Sequence, residues 1–180
     1  TKYRLKSNTY DIFISRGGAV AGLKRSAVKA ASRKPGIVLP PNTLPQANRA
    51  MIEQSLSVGM GRALGIRLRK LSKKRIDAEM RVTADHINRS GRINGGVLMA
   101  FADLLGAMGT LANLPEGCRT TTLESKTNFF AAGEGDALAA TALPLHIGRS
   151  TMVWQTTISN LDGTRVAIVT QTQIVLQPRS

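Results

Sequence analysis

Polar and apolar residues alternate with a period of two in two stretches of the chain, and four later stretches also have strand character, which together predict six β-strands. The stretches are ALGIRLRKL (63–71), RIDAEMRVTA (75–84), TTTLESKTNFFAA (120–132), DALAATALPLHI (136–147), STMVWQTTISNL (150–161) and TRVAIVTQTQIVL (164–176). The polar turn SKKR joins the first two, and Asp162-Gly163, a strong hairpin signal, joins the last two. We therefore predict a hairpin, followed later in the chain by an antiparallel meander.

Two other stretches have helical spacing of apolar residues. Residues 43–61, TLPQANRAMIEQSLSVGMG, predict one helix that starts near Thr43. Residues 95–109, GGVLMAFADLLGAMG, are apolar or small almost all the way round, so this helix must be buried on most faces. Together the elements predict an α+β domain in which a curved antiparallel sheet wraps one long central helix.

The first 41 residues differ in character from the rest. They carry nine Lys or Arg against only Asp11 and end in a Pro-Pro pair. We interpret residues 1–41 as a basic N-terminal extension and residues 42–180 as the folded domain. The extension is open to three interpretations: a targeting peptide, a flexible phosphate-binding arm, or sequence upstream of the domain. Within it, SAVKAASRK (26–34) has the composition of a short helix.

The net charge of +14 indicates a partner that carries phosphate groups. One cysteine, Cys118, and two histidines exclude a disulfide framework and a His/Cys zinc site. No apolar run approaches the roughly 18 residues that a membrane-spanning helix needs. We therefore expect a soluble, cytoplasmic protein without a membrane span, a metal or a cofactor.

Asp103 is the only charged residue between Arg92 and Glu116, and it lies in the middle of the apolar helix. An unpaired carboxylate in such a place costs several kcal/mol, roughly, or takes up a proton. Buried acids cluster at catalytic sites, which makes Asp103 a candidate catalytic residue. The structural alternative is that Asp103 lies on a solvated stripe of the helix or pairs with a basic residue such as Arg92.

The helix begins with Gly95-Gly96, where backbone N–H groups lack partners and the helix dipole is positive. Such a turn suits a polarised carbonyl or a developing oxyanion, although a tight turn packed against the sheet needs the same residues. Eight helical residues separate Gly95 from Asp103, roughly 12 Å, which is too far for both to touch one reacting carbon. A two-fold dimer that brings Asp103 of one protomer to the Gly95 turn of the other would join them.

Three stretches resemble the hotdog-fold thioesterases, specifically the PaaI-type branch. They are HINRSGRINGGVLMAFAD (86–103), TTTLESKTNFFAAGEGDALAATALPLHIGRS (120–150) and NLDGTRVAIVTQTQIVL (160–176). The resemblance covers about residues 60–177. Its most specific part is Asn-x-x-Gly-x-x-x-Gly-Gly, with Asp eight residues after the first glycine of the pair. It implies a hotdog fold, hydrolysis of an acyl-CoA thioester, and a homodimer that assembles into a homotetramer.

The resemblance also implies site residues. Asp103 falls at the position of the catalytic acid, which acts as nucleophile or as general base. The carbonyl is polarised by the N–H of Gly95, and the amide of Asn88 positions water or substrate. Thr122 falls at the position of a Ser or Thr that assists the acid. In the family, the acid and the oxyanion donor come from different protomers.

One position departs from the family pattern, because Asn94 stands where a histidine usually precedes Gly95-Gly96. Asn can donate or accept a hydrogen bond but cannot titrate near neutral pH. A non-catalytic acyl-CoA-binding hotdog protein is therefore the first alternative function. His86 lies earlier in the chain and is interpreted as structural.

Coenzyme A, which enters as part of the substrate, carries phosphates that basic residues can hold. Arg149 is the best single candidate by resemblance, while Arg92 flanks the active turn and Phe129 could line the acyl pocket. The RKLSKKR turn (69–75) is a second basic surface, more simply explained as solvated. The remaining candidates for substrate binding are Asn94 and Gly96.

Two further functions are weighed against hydrolysis. The basic N-terminal arm and hairpin would suit nucleic acid, but the chain has few aromatic residues and no nucleic-acid motif, and such a function leaves Asp103 unexplained. We therefore expect no nucleic-acid partner. Hydration of acyl-CoA, another reaction of this fold, uses an Asp/His pair that is not found in the sequence.

Overall fold

The computed structural model describes the backbones of residues 3–6, 10–14 and 20–25, and all of residues 44–178. The chain divides into two compact units, Thr1–Gly36 and Ile37–Ser180. In the first unit, three strands form an antiparallel sheet in the order β1-β2-β3. They are β1 (Tyr3–Lys6), β2 (Tyr10–Ile14) and β3 (Val20–Arg25).

The strands of the first unit were not predicted. The helix predicted at 26–34 lies outside the described residues, and the domain boundary at residue 41 stays a prediction.

Over residues 44–178, the second unit contains three helices, a short 3-10 turn and six strands. In chain order they are α1 (Gln46–Ser57), α2 (Gly59–Leu64), β4 (Ile66–Ser72), β5 (Arg75–Arg81), a 3-10 turn (Ala84–His86), α3 (Gly95–Leu111), β6 (Arg119–Phe129), β7 (Ala137–Ile147), β8 (Thr151–Asn160) and β9 (Arg165–Leu176). The six predicted strands and the long helix are all present, and the predicted α+β class is confirmed.

The helix predicted over 43–61 is two helices rather than one. The first ends at Ser57, because Val58 is extended with φ −124° and ψ 163°. Gly59 then adopts a φ of +49°, a left-handed conformation that glycine enters at little cost. The chain thus turns sharply between α1 and α2 although the apolar spacing runs on through both.

The six strands form one antiparallel sheet in the order β4-β5-β7-β8-β9-β6. The predicted hairpin is β4-β5, and the meander holds for β7-β8-β9. The prediction was wrong for the remaining strand, because β6 does not pair with β7 but lies beyond β9, where Thr122 is opposite Gln173. The intervening loop therefore crosses from one edge of the sheet to its interior.

Helix α3 contacts all six strands of this sheet. Since all six strands lie against one helix, they share a single helix-covered face. The core lies between this face and α3 and includes the fully buried side chains of Phe101, Leu105, Met108 and Trp154. Among the described residues, no helix is long and apolar enough to cross a membrane.

Gly109 sets the distance between α3 and the sheet. A Cβ atom at this position would lie 2.6–2.7 Å from three atoms of the Trp154 ring, which is fully buried. The ring cannot move easily, because its Nε1–H donates to Thr110 Oγ1 at 3.0 Å. We expect Gly109→Ala to lower the free energy of unfolding by about 2 kcal/mol, the cost of overpacking exceeding the gain in helix propensity.

Thermal melts at one fixed protein concentration would measure this as a fall in Tm of roughly 4–8 °C. Trp154→Phe, which shortens the ring system, is the matched background. In the Trp154→Phe background, Gly109→Ala should lower the Tm by less than in the wild type, as expected when the two residues are in contact. An unchanged or higher Tm for Gly109→Ala would show that α3 can shift away from the sheet without loss.

Candidate active site

Asn94 starts helix α3 and leaves one backbone donor free. Its backbone is extended, and its side-chain Oδ1 accepts the N–H of Gly96 at 2.8 Å. Its carbonyl oxygen accepts the N–H groups of Val97 and Leu98 at 3.0 and 3.3 Å. Within residues 44–178, the N–H of Gly95 has no acceptor. It therefore remains available at the positive end of the helix dipole.

The loop before α3 is shaped by Asn88. Its Oδ1 accepts the N–H groups of Ser90 and Arg92 at 2.9 and 3.2 Å, and an isolated bridge pairs Ile87 with Ile93. These two hydrogen bonds to the Asn88 side chain hold the loop in place. Asn94 is similarly occupied as a helix cap.

Phe129, at the end of β6, forms a wall beside Gly95. A Cβ atom at Gly95 would lie 3.3 Å from Cζ of the ring, and more than half of the Phe129 side chain remains exposed. An apolar surface therefore borders the free N–H. We call residues 88–96 together with Phe129 the Gly95 turn.

Asp103 is half-buried and held through one carboxylate oxygen. Its Oδ1 accepts from Thr122 Oγ1 at 3.0 Å and from Gln171 Nε2 at 2.7 Å, and the same Nε2 lies 3.1 Å from the Asp103 carbonyl oxygen. Among residues 44–178, Oδ2 has no hydrogen-bond donor and no cation pairs with the carboxylate. Neutral donors therefore fix the group while one oxygen stays free to react.

Two buried glutamines of β9 complete this network. Gln173 Nε2 donates to Thr122 Oγ1 at 2.8 Å, and its Oε1 accepts from Thr120 at 2.9 Å. Gln171 and Gln173 are each only 1% exposed. Both were missed in the sequence, although they interrupt the apolar alternation of β9 at core-facing positions. We call Asp103, Thr122, Gln171 and Gln173 the Asp103 cluster.

The proposed pairing of Asp103 with Arg92 is wrong. Arg92 forms an ion pair with Glu134, in the loop between β6 and β7. Asp103 instead takes its partners from β6 and β9 because these strands face its side of α3.

Within one protomer, the Asp103 cluster and the Gly95 turn are far apart. Seven residues of β6 separate Thr122 from Phe129, about 23 Å of strand, and eight residues of α3 separate Gly95 from Asp103, about 12 Å. The structure thus brings Thr122 to Asp103, and Asn94, Gly96 and Phe129 to Gly95, while the contacts of Asn88 stay within the loop before α3. It does not bring the two groups together in a single chain.

The basic residues proposed to bind phosphate lie on exposed loops. Arg149 is exposed between β7 and β8, near β9, where the Val175 N–H donates to the Ser150 carbonyl at 2.8 Å. In the β4-β5 hairpin, Arg69 contacts Glu79 at 2.5 Å. This hydrogen bond and the charge of Arg69 hold the pKa of the Glu79 carboxyl below its usual value. Part of the hairpin charge is therefore already paired.

His86 has two backbone partners. Its Nδ1 accepts the Thr83 N–H at 3.2 Å and its Nε2 lies 3.3 Å from the Ala63 carbonyl oxygen, so the Nε2-protonated tautomer satisfies both. This agrees with a structural function. Among residues 44–178, no group of three or more His, Cys, Asp or Glu side chains is arranged to hold a metal ion.

Comparison with known proteins identifies the family. The sequence profile of the thioesterase superfamily matches residues 90–167. A Vibrio cholerae protein named provisionally as an esterase is 30% identical over 64% of this chain and 77% of its own length. The 1,4-dihydroxy-2-naphthoyl-CoA hydrolase of Listeria monocytogenes is 26% identical over 57% of this chain and 84% of its own.

A crystal structure of a variant thioesterase from Pseudomonas aeruginosa superimposes with a TM-score of 0.66 and 26% identity. The alignment covers 71% of this chain and 92% of that one. The predicted hotdog fold is confirmed, while the PaaI-type branch stays a prediction. From the matched profile, the relatives and the shared fold, we conclude that the chain belongs to the thioesterase superfamily.

Proposed function

We propose that the protein hydrolyses acyl-CoA thioesters to the free acid and CoA. The observation that carries this proposal is the Asp103 carboxylate, whose Oδ1 is held by Thr122 and Gln171 while its Oδ2 has no partner among residues 44–178. The name of the Listeria relative, a naphthoyl-CoA hydrolase, supports a CoA thioester as the substrate class.

A thioester needs little activation, because the thiolate is a good leaving group. The free oxygen of Asp103 serves either of two reactions. As a nucleophile it forms a bond to the carbonyl carbon, the C–S bond breaks, and water then hydrolyses the mixed anhydride. As a general base it takes a proton from water while the water oxygen attacks the carbon and CoA leaves.

In both reactions negative charge develops on the carbonyl oxygen, and the N–H of Gly95 is the proposed donor to it. The separation of Gly95 from Asp103 along α3 supports a site shared by two protomers of a homodimer. In this arrangement the Phe129 ring would line the acyl group next to Gly95, and Arg149 would hold a phosphate of CoA. A homotetramer and a cytoplasmic location remain predictions.

Release of free thiol from short, medium-chain and aromatic acyl-CoAs tests the proposal. Turnover of any of them supports it and ranks the acyl groups. If a folded protein binds acyl-CoA without turning it over, the non-catalytic binding function replaces it, with Asn94 as the suspected cause.

Thr122 should act as a positioning residue for Asp103. In Thr122→Val the donor to Oδ1 is lost and the shape is kept, so we expect kcat to fall roughly tenfold with KM little changed. Thr122→Ser keeps the hydroxyl and should restore most of kcat. Steady-state kinetics on one acyl-CoA checks both variants, and a Ser variant as slow as the Val variant would count against a hydroxyl contribution.

A further inference from the structure

Two loops meet beside Gly95 and are joined by an ion pair. The loop before α3 contributes Arg92 and Ile93, and the loop between β6 and β7 contributes Gly133 and Glu134. The Ile93 N–H donates to the Gly133 carbonyl at 3.3 Å, and Arg92 pairs with Glu134 next to it. The Glu134 N–H is held by Asn160 Oδ1 at 3.0 Å, which anchors the backbone of Glu134 beside the loop before α3.

The ion pair is open to exchange. The Arg92 and Glu134 side chains are 53% and 55% exposed, and exposed ion pairs contribute little because water solvates both charges. The other ion pairs among residues 44–178 lie on α1 and on the β4-β5 hairpin. At the Gly95 turn, therefore, Glu134 is the acid that competes with a phosphate for the Arg92 guanidinium.

We propose that Glu134 sets the affinity of the site for the phosphorylated part of its ligand by competing for Arg92. This inference rests on the proposed acyl-CoA substrate. A phosphate carries more charge than a carboxylate and accepts a bidentate pair from arginine, so it can replace Glu134 as the partner. Glu134 thus weakens the binding of every CoA ester without contacting the acyl group.

The test is the Kd of free CoA, measured by calorimetry at low salt. Glu134→Gln should tighten binding roughly three- to fivefold, the range expected when an exposed competing charge is removed. Arg92→Gln should weaken binding, and Glu134→Gln should have no further effect in the Arg92→Gln background. Glu53→Gln removes the exposed acid of the Arg49 pair on α1, outside the Gly95 turn, and should leave the Kd unchanged.

Kinetics adds a second readout. Glu134→Gln should lower KM for an acyl-CoA by the same factor but leave KM unchanged for the N-acetylcysteamine thioester of the same acid, which has no phosphate. The proposal is overturned if Glu134→Gln does not lower the Kd of CoA, or if Glu134→Gln still tightens CoA binding in the Arg92→Gln background. It is also overturned if no variant binds CoA. Tighter CoA binding without thioester turnover supports this inference and refutes only the proposed hydrolysis.

Discussion

Asp103→Asn is expected to lower kcat for thioester hydrolysis by roughly a thousandfold or more, as the loss of a general base or nucleophile does in other enzymes. The amide has the shape of the carboxylate, and its oxygen can still accept from Thr122 and Gln171. Its nitrogen can neither attack the carbonyl carbon nor take a proton from water. Folding and binding of CoA should therefore persist while turnover is lost.

Thiol release measures turnover, thermal melting measures folding, and calorimetry measures the binding of CoA. Asp136→Asn is the matched control, because it removes a carboxylate from an exposed position outside the Asp103 cluster. A folded Asp103→Asn protein that kept more than about a tenth of the wild-type kcat would show that Asp103 is not the reacting group.

Gly95→Pro should lower kcat by about 10²–10³-fold, the usual cost of removing one oxyanion donor. Proline removes the N–H and fits the first position of a helix, where the Gly95 N–H has no acceptor to lose in the part of the chain that the structure describes. Asn94, with φ −65° and ψ 135°, already has the backbone conformation that a following proline requires.

Gly95→Ala is the matched control for this variant. It adds a Cβ at the same point, 3.3 Å from the Phe129 ring, but keeps the N–H. The ratio of kcat between the Ala and Pro variants therefore isolates the donor from crowding against the ring. An equal fall in kcat in both variants would show that crowding against the ring causes the effect and that the Gly95 N–H does not take part in the reaction.

Mixing the Asp103→Asn and Gly95→Pro chains tests whether two protomers share the site. If they do, each mixed dimer has one site with both changes and one site with neither. Random mixing should then restore about a quarter of the wild-type activity, since half of the dimers are mixed and half of their sites are intact. A site within one protomer would give no restoration.

The sequence predicted most elements of the domain because their signals are local. Alternation or strand-like composition marks each of the six predicted strands, and Asp162-Gly163 marks one hairpin. The position of β6 depends on which strand it meets across the sheet, and a period of two identifies the faces of a strand but not its neighbour. The strands within residues 3–25 were missed since their stretches are short and weakly periodic.

The candidate site was predicted only in part, for a related reason. Asp103 stands out because a charge in an apolar helix is costly, and Gly95 because of its place at the helix start. Gln171 and Gln173 carry no charge, so only their core-facing positions in β9 mark them. The Arg92 partner could not be found, because Glu134 lies beyond two intervening elements in the chain.

The glycines of α3 limit how this protein can adapt to higher temperature. Replacing a helical glycine with alanine is normally a simple route to greater heat resistance, worth about 1 kcal/mol. Here a Cβ at Gly106 would lie 2.3 Å from Gln171 Oε1, and one at Gly109 would meet Trp154. Heat adaptation must therefore use other elements, such as α1, whose N-cap residue Pro45 provides no side-chain cap.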